Sequence, residues 1–213
     1  MDIFLVRHGE SKANLQGIYQ GHTYDTSLTN KGIEQARAVA YYLADKYPQI
    51  GAVYASPLKR TYQTAEQIAA VLFVPEIKTD QALLEINHGL WEGNSLEQIA
   101  QLYPHEWQLW HQQPDQVKMP QGETLEQVQT RAVEFLQNLS HTGEQQVVVV
   151  SHDAWIRTVL CHVLQRPLSD FWSFDLHNAG LTVLDWDELP KVVTISEDSY
   201  LSQLQSDLSL QAR

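Results

Sequence analysis

Cysteine is nearly absent from this chain of 213 residues, in which Cys161 is the only one. A single cysteine excludes an internal disulfide and a zinc site built from several thiolates. Long apolar runs are also absent, since no stretch approaches the roughly 18 residues of a membrane-spanning helix. The segment after Met1 lacks the basic start and apolar stretch of a signal peptide. We therefore predict a cytoplasmic protein with no membrane partner.

Basic residues are the second scarce class. Lys and Arg total 14 against 26 Asp and Glu, which gives a formal net charge of −12. Such a chain is repelled by nucleic acid and by anionic membranes, so no nucleic-acid partner is expected. If the protein binds phosphate, a few basic side chains must concentrate positive charge locally. Hydrophobic residues make up 43% of the chain, which is enough for a folded core.

Short apolar runs alternate with helical patterns along the chain. Residues 3–6, 52–55 and 147–150 are predicted as strands, and the last run, made of valines alone, is typical of a central strand covered on both faces. Residues 180–186 and 192–195 are predicted as later strands. Strands that alternate with helices form a mostly parallel sheet, so we predict a three-layer α/β/α fold.

Capping residues mark the predicted starts of several helices. Ser56 is predicted as an N-cap with Pro57 at the first helical position, which places Arg60 in the first turn. Capping boxes begin at Ser95 and at Thr124.

For two segments the sequence is compatible with more than one structure. Segment 103–113 is rich in aromatic residues and is either a lid or a side wall. The polar tail 197–213 contains interspersed leucines and is either an amphipathic helix or a frayed end. The functional motifs run from residue 7 to residue 152, so we predict one domain over residues 1–213 that ends in this tail.

Polar residues follow three of the predicted elements. His8 and His152 come directly after strands, and Arg60 begins the helix that follows another strand. In a parallel sheet the carboxyl ends of the strands lie at one edge, where ligands bind. We therefore expect these three side chains to meet.

The chemistry of these residues matches the hydrolysis of a phosphate monoester. The dianion needs several donors, for which Arg7 offers a planar fork and Arg60 a helix N-terminus. A neutral imidazole at His8 can attack phosphorus, and His152 can donate further hydrogen bonds. Glu85 lies in an apolar stretch that should raise its pKa, as a general acid requires.

Each of these residues also has a purely structural explanation when taken alone. Arg7 could pair with Glu10, His152 could be a core histidine, and Glu85 could cap a turn. A metal hydrolase built on histidines is less compatible with the sequence, because neighbouring arginines repel a cation and no H-E-x-x-H motif is present. We therefore expect no metal and no cofactor.

The order of the motifs strongly resembles that of the histidine phosphatase, or phosphoglycerate mutase-like, superfamily. The similarity covers about residues 3 to 186. It rests on the Arg-His-Gly-Glu run at 7–10, Asn14, Gln20-Gly21, Leu28-Thr29, Gly32, the segment 56–65, Glu85 ahead of 89–93, and Ser151-His152.

This resemblance implies a role for each matching residue. His8 would be the phosphorylated nucleophile and Glu85 the proton donor. The phosphate pocket would be formed by Arg7, Arg60 and His152, and further contacts on the substrate side would come from Asn14, Gln20 and Gly21. No metal belongs to the mechanism that the family uses.

The sequence departs from the family pattern at two positions. Asp153 stands where the family commonly has glycine, and Ser27 stands where it often has proline. Asp153 places a carboxylate near the pocket and could affect which substrates are admitted.

Within the family, several stretches resemble the metal-independent phosphoserine phosphatases, which are typically homodimers. The resemblance implies that His88 reads the amino-acid end of the substrate, for example its carboxylate, while Asp153 or Glu10 tolerates the ammonium group. The alternatives are a broad-specificity, sugar or ribazole phosphate phosphatase and a non-catalytic phospho-ligand sensor. A phosphoglycerate mutase is less compatible, because few basic residues lie between Arg60 and Arg131. For His88, a loop histidine without a ligand role also stays open.

Overall fold

The computed structural model describes residues 1–211, and within them the chain alternates between strands and helices. The strands are β1 (Asp2–Arg7), β2 (Ala52–Ala55), β3 (Ile77–Thr79), β4 (Gln146–Ser151), β5 (Leu181–Asp185) and β6 (Lys191–Glu197). The α-helices are α1 (Lys12–Gln16), α2 (Asn30–Lys46), α3 (Lys59–Leu72), α4 (Leu96–Leu102), α5 (Pro104–Gln112), α6 (Leu125–Leu139) and α7 (Asp153–Val163). Short 3₁₀ turns join several of them.

The described strands form one sheet in the order β3-β2-β4-β1-β5-β6. The pairs β1–β4, β4–β2 and β2–β3 are parallel. β5 pairs antiparallel with both of its neighbours, so it runs against the other strands. The predicted fold class, a mostly parallel sheet between layers of helices, is confirmed.

The valine run of β4 shows how the sheet is covered on both faces. Val147 and Val149 belong to the core cluster that includes α6 and α7, whereas Val148 and Val150 pack with α2 and α3 on the opposite face. All four side chains are fully buried. Burying one such side chain contributes about 1.5–3 kcal/mol, so this run stabilises both layers and fixes β4 as a central strand.

The start of α3 differs from its prediction. The N-cap is Leu58 and the helix begins at Lys59, so Ser56 is not the N-cap and the expected proline does not lie at the first helical position. The Ser56 hydroxyl instead lies 2.9 Å from Nε2 of His152, a partner from another strand end that the sequence could not reveal. Arg60 nevertheless lies in the first turn, as predicted. Both predicted capping boxes, at Ser95 and Thr124, are present.

The aromatic segment 103–113 forms a side wall. It folds mainly as α5, from which Trp110 is buried and packs against Phe171, Trp172 and Trp91. No helix within residues 1–211 has the length and apolar composition to cross a membrane.

The tail is neither an amphipathic helix nor a frayed end over its described residues. It contains two short 3₁₀ turns, Ser202–Leu204 and Leu208–Leu210, and Leu201 is buried in the core beside α2. The Ser206 hydroxyl donates to Oε2 of Glu10 at 2.7 Å. Individual anchors of this kind fix the tail without any helical periodicity. Residues 212–213 of the predicted tail lie outside the described residues.

Candidate active site

Strand register brings the polar residues to one edge of the sheet. Arg7, the last residue of β1, pairs with Ser151, the last residue of β4. The next residues along the chain, His8 and His152, therefore leave the sheet side by side, with ring centroids 5.2 Å apart. Arg60 reaches the same edge from the first turn of α3, directly after β2.

His8 is a neutral imidazole with a defined tautomer. Its Nδ1–H donates to the carbonyl of Gly9 at 2.8 Å, so Nε2 carries the free lone pair. Burial lowers the pKa of His8 well below 6.5, and the charges of Arg60 and Arg7 lower it further. At neutral pH, Nε2 is therefore unprotonated, which is the form that a nucleophilic role requires.

Arg7 is a buried cation held by groups from distant parts of the chain. Its Nη1 donates to the carbonyl of Leu176 at 2.6 Å, and its Nη2 donates to Oε1 of Gln211 at 2.7 Å. Its Nη1 also lies 3.4 Å from Oδ1 of Asp153. The pairing with Glu10 that the sequence left open does not occur, since the carboxylate of Glu10 contacts Lys31 instead.

Arg60 is the second buried cation. Its Nη1 donates to Oδ1 of Asp25 at 3.0 Å, and its Nη2 donates to the carbonyl of Gly21 at 3.3 Å. Burial lowers its pKa, while the charges of Glu85 and Asp25 raise it. Its Nε has no hydrogen-bond partner within residues 1–211. A buried donor of this kind is costly to leave unpaired, and an anionic ligand would satisfy it.

His152 adds a third potential donor. Its Nε2 lies 2.9 Å from the Ser56 hydroxyl, and burial together with the charge of Arg60 lowers its pKa well below 6.5. When Ser56 donates to Nε2, the proton of the neutral ring lies on Nδ1. This Nδ1 is buried and has no hydrogen-bond partner in the part of the chain that the structure describes.

Glu85 has the environment of a carboxylic acid rather than a carboxylate. Burial, followed by the charge of Asp153, raises its pKa from 4.5 to about 7, against an opposing effect of Arg60. Its Oε1 accepts from the backbone N–H groups of Ile86 at 3.0 Å and Ala154 at 3.1 Å. The Ala154 N–H lies 3.5 Å from Oε2, so Oε1 is the better-engaged acceptor and we assign the proton of the acid to Oε2.

The two carboxylates considered for an ammonium group are both engaged inside the protein. Asp153 accepts at Oδ2 from Nε of Arg157 at 2.6 Å, on top of its contact with Arg7. Glu10 accepts from the Thr29 hydroxyl at 2.9 Å, in addition to its contacts with the tail. The carboxylate that replaces the family's glycine therefore lies between two guanidinium groups.

The residues predicted to contact the substrate hydrogen-bond to other protein groups around the pocket. Oδ1 of Asn14 accepts from the backbone of Ser11 in the capping box of α1. Gln20 donates from Nε2 to the Ser11 hydroxyl at 2.8 Å and accepts at Oε1 from Thr26 at 3.0 Å. Gly21 offers its carbonyl to the second arginine described above. Direct contact of these residues with a substrate stays a prediction.

His88 is buried between the rings of Tyr19 and Trp110, at centroid distances of 5.0 and 6.0 Å. Its Nδ1–H donates to the carbonyl of Gln20 at 2.7 Å, and burial lowers its pKa to about 4. The neutral ring therefore has its lone pair on Nε2. A contact between Nε2 and a carboxylate would require the doubly protonated ring.

Three residues that shape the pocket were not among the predicted site residues. Asp25 lies in a loop and pairs with Arg60. Asn178 donates from Nδ2 to the carbonyl of His8 at 3.1 Å and accepts from Gln211 at 2.6 Å. Asp25 and Asn178 do not belong to a periodic pattern, and Gln211 lies in the polar tail. Only the folded chain brings them together.

The arrangement combines a nitrogen nucleophile, two guanidinium groups, a donor imidazole and a protonated carboxyl group. This set can hold a phosphate dianion, attack phosphorus and protonate a leaving alkoxide. Within residues 1–211, no group of three or more His, Cys, Asp or Glu side chains is arranged to hold a metal ion.

Comparison with known sequences gives one family for almost the whole chain. The sequence profile described as "Histidine phosphatase superfamily (branch 1)" matches residues 3–198. Phosphoserine phosphatase 1 of Hydrogenobacter thermophilus is 38% identical over 192 residues, which cover 90% of this chain and 89% of the relative.

Solved structures with the same architecture give a consistent picture. YhfR of Bacillus stearothermophilus superposes with a TM-score of 0.87 at 30% identity, over 94% of this chain and 98% of the other. A mutant phosphoserine phosphatase from Entamoeba histolytica, in complex with phosphoserine, superposes with a TM-score of 0.82 at 27% identity, again over 94% and 98% of the two chains.

Proposed function

Because the chain belongs to the histidine phosphatase superfamily (branch 1), we propose that it hydrolyses L-phosphoserine to L-serine and phosphate, without a metal, through a phosphohistidine at His8. The observation that carries the proposal is a neutral nucleophile and an acid with a pKa of about 7, held in one cationic pocket. The acid is Glu85, and the cations are Arg7 and Arg60.

The first step transfers the phosphoryl group to the enzyme. The lone pair on Nε2 of His8 forms the P–N bond while the bond from phosphorus to the ester oxygen breaks. Oε2 of Glu85 gives its proton to the departing oxygen, which becomes the serine hydroxyl. The guanidinium groups of Arg7 and Arg60 and the ring of His152 stabilise the charge on the equatorial oxygens.

The second step returns the enzyme to its starting state. A water molecule attacks phosphorus and loses a proton to the carboxylate of Glu85, which the first step left deprotonated. The P–N bond breaks, its electron pair returns to Nε2 of His8, and inorganic phosphate leaves. Glu85 is thereby protonated again for the next substrate.

The choice of phosphoserine rests on the named relatives and on His88. Both the Hydrogenobacter thermophilus relative and the Entamoeba histolytica structure are phosphoserine phosphatases. His88 supplies a buried polar ring whose free nitrogen, Nε2, would face the amino-acid end of the substrate. In the neutral ring Nε2 accepts a hydrogen bond, for example from the ammonium group, and it contacts the carboxylate only when that carboxylate draws a second proton onto the ring.

A substrate panel in the presence of chelator tests this proposal. We expect kcat/KM for phosphoserine to exceed that for 3-phosphoglycerate, sugar phosphates and ribazole phosphate, and to be unchanged by EDTA. His8→Ala should lower turnover by at least about 1,000-fold, because the covalent route is lost. His162→Ala, which changes an exposed histidine, is the matched control.

Each part of the proposal can fail separately. Faster turnover of a sugar phosphate or of ribazole phosphate would overturn phosphoserine as the substrate while leaving the phosphatase chemistry in place. Loss of activity in EDTA would overturn metal independence. If no substrate were turned over and His8 took up no ³²P label, the non-catalytic sensor would be the better description. The homodimer and the cytoplasmic location stay predictions.

A further inference from the structure

Glu85 stands on a segment without regular secondary structure, residues 84–88, which we term the acid loop. The backbone groups of such a segment lack the partners that a helix or a strand would supply, so other groups must satisfy and fix them. A general acid also needs a defined position, because its proton must lie within hydrogen-bond reach of the leaving oxygen. The acid loop therefore needs support from outside.

Arg131, on α6, supplies part of that support. Its Nη1 donates to the carbonyls of Ala82 at 2.9 Å and Leu84 at 2.6 Å, and its Nη2 donates to the carbonyl of Glu85 at 2.8 Å. Its Nε and Nη2 donate to the two carboxylate oxygens of Glu123 at 3.1 and 3.0 Å. A guanidinium group has five N–H donors, so every donor of this side chain is used.

Three further hydrogen bonds extend this support along the acid loop. Oε2 of Glu123 accepts from the backbone N–H of Asn87 at 2.8 Å, and the N–H of Glu123 donates to the carbonyl of Asn87 at 2.9 Å. Nε2–H of His22 donates to the carbonyl of Glu85 at 2.7 Å. The backbone of the acid residue is thus fixed by donors from α6 and from the loop between α1 and α2.

We infer that Arg131 is a positioning residue for the acid step, because it holds the Glu85 backbone at the place from which the side chain can reach the leaving oxygen. Arg131 hydrogen-bonds to backbone carbonyls and to Glu123 and acts through them, not on the substrate. The inference rests on the proposed function, since it assumes that Glu85 is the acid.

The leaving group decides how the role of Arg131 can be observed. An alkoxide such as that of serine needs a proton to depart, whereas p-nitrophenolate leaves with little help. A misplaced acid therefore lowers kcat/KM, which reports the first step, much more for phosphoserine than for p-nitrophenyl phosphate. The second step, in which Glu85 acts as the base, is common to both substrates and does not enter kcat/KM. A purely structural defect, such as a smaller folded fraction, lowers both activities equally.

The experiment compares Arg131→Met and Arg131→Lys with the parent enzyme on both substrates. Because a displacement of about 1 Å can cost about 100-fold in rate, we expect Arg131→Met to lower kcat/KM for phosphoserine by about 30- to 100-fold. For p-nitrophenyl phosphate the loss in kcat/KM should stay below about 3-fold, because its first step needs little help from the acid. Arg131→Lys should recover only part of the loss, since an ammonium group cannot reproduce the planar fork. Arg37→Met, at an exposed arginine on α2, is the matched control.

A double variant separates this inference from the proposed function. In a Glu85→Gln background, Arg131→Met should cause little further loss on phosphoserine, because no acid is left to position. If Arg131→Met alone lowered both substrates equally, or kept its full effect in that background, the positioning role would be overturned and the acid role of Glu85 would stand. If Glu85→Gln itself lowered both substrates equally, the acid assignment would fail and the inference with it. If Arg131→Met did not fold, Arg131→Lys and Glu123→Gln would carry the same comparison.

Discussion

At the scale of single residues, the chemistry available to the candidate site depends on the protonation states of His8 and Glu85. The hydrogen bond from Nδ1 of His8 to the carbonyl of Gly9 leaves Nε2 free for attack. Burial and two neighbouring cations keep that ring neutral, whereas burial and Asp153 keep the carboxyl of Glu85 protonated up to a pKa of about 7. The same burial thus prepares a base and an acid, because in both cases it disfavours the charged form.

A pH profile of kcat/KM, which reports the ligand-free enzyme, follows from these two groups. Turnover of phosphoserine should fall as the pH rises through about 7, because Glu85 loses the proton that it must give to the leaving group. On the acidic side, it should fall only well below pH 6.5, where His8 becomes protonated. Steady-state kinetics with phosphoserine and p-nitrophenyl phosphate would check this. An equally steep alkaline decline for both substrates would contradict the assignment to Glu85.

The raised pKa of Glu85 also affects stability. Its pKa in the folded state, about 7, lies above the usual 4.5 of an unfolded chain, so the folded state holds a proton that the unfolded state releases. The free energy of unfolding should therefore decrease as the pH rises from about 4.5 to about 7. One pKa unit corresponds to about 1.4 kcal/mol, so the loss approaches about 3 kcal/mol at its upper limit.

Glu85→Gln removes the cost of ionising a buried carboxyl group. It should therefore raise the free energy of unfolding at pH 8 by up to about 3 kcal/mol. The same substitution should lower turnover of phosphoserine. Urea denaturation at pH 5 and pH 8 would measure the effect, which should be smaller at pH 5. Glu66→Gln, at an exposed position on α3, is the matched control. A variant that is less stable than the parent at pH 8 would contradict the proposed destabilisation by the ionised Glu85 carboxylate.

At the scale of elements, the positions at which helices begin determine where Arg60 and Arg131 lie. The capping box of Thr124 starts α6, and Arg131 lies two turns further along that helix. Arg60 lies in the first turn of α3, although the cap there is not the predicted one. The ends of the elements therefore determine which side chains reach the sheet edge and the acid loop.

Thr124→Ala should lower the free energy of unfolding by about 1 kcal/mol, because the backbone N–H of Gln127 loses its acceptor. Thr130→Ala, in the middle of the same exposed helix surface, removes the same atoms without removing a cap and should change stability by less than about 0.5 kcal/mol. Urea denaturation of both variants would measure the difference. Equal effects of the two substitutions would show that the cap is not the source of the stability.

At the scale of the whole molecule, the tail connects the core with the phosphate pocket. Leu201 is 1% exposed in the core beside α2, and Ser206 and Gln211 contact Glu10 and Arg7. The contact between Arg7 and Gln211 joins residues that are 204 positions apart. Over its described residues, the tail therefore packs against the core and the pocket.

Leu201→Ala should lower the free energy of unfolding by about 2–5 kcal/mol, the usual cost of removing a buried leucine side chain. Leu189→Ala, at a leucine that is 77% exposed, is the matched control and should have little effect. Thermal or urea unfolding would measure both. If the two variants were equally stable, the tail would not be packed as described.

The sequence by itself determined the class of fold and identified the candidate site residues. Alternating strands and helices, and the valines of β4, follow from hydrophobic periodicity, which depends on neighbouring residues only. The same holds for the capping boxes and for the Arg-His-Gly-Glu motif, in which residue types and short spacings carry the information. Glu85 was recognisable because an apolar neighbourhood in the chain predicts burial and hence a raised pKa.

Only the tertiary structure decided which groups pair with one another. The engagement of Asp153 by two arginines, the tautomers of His8 and His88, and the path of the tail each depend on contacts between distant segments. The same is true of Ser56, whose hydroxyl contacts His152 instead of capping a helix. Such pairings are set by the packing of the whole chain, in which each buried polar group must find a partner. No local pattern encodes that partner.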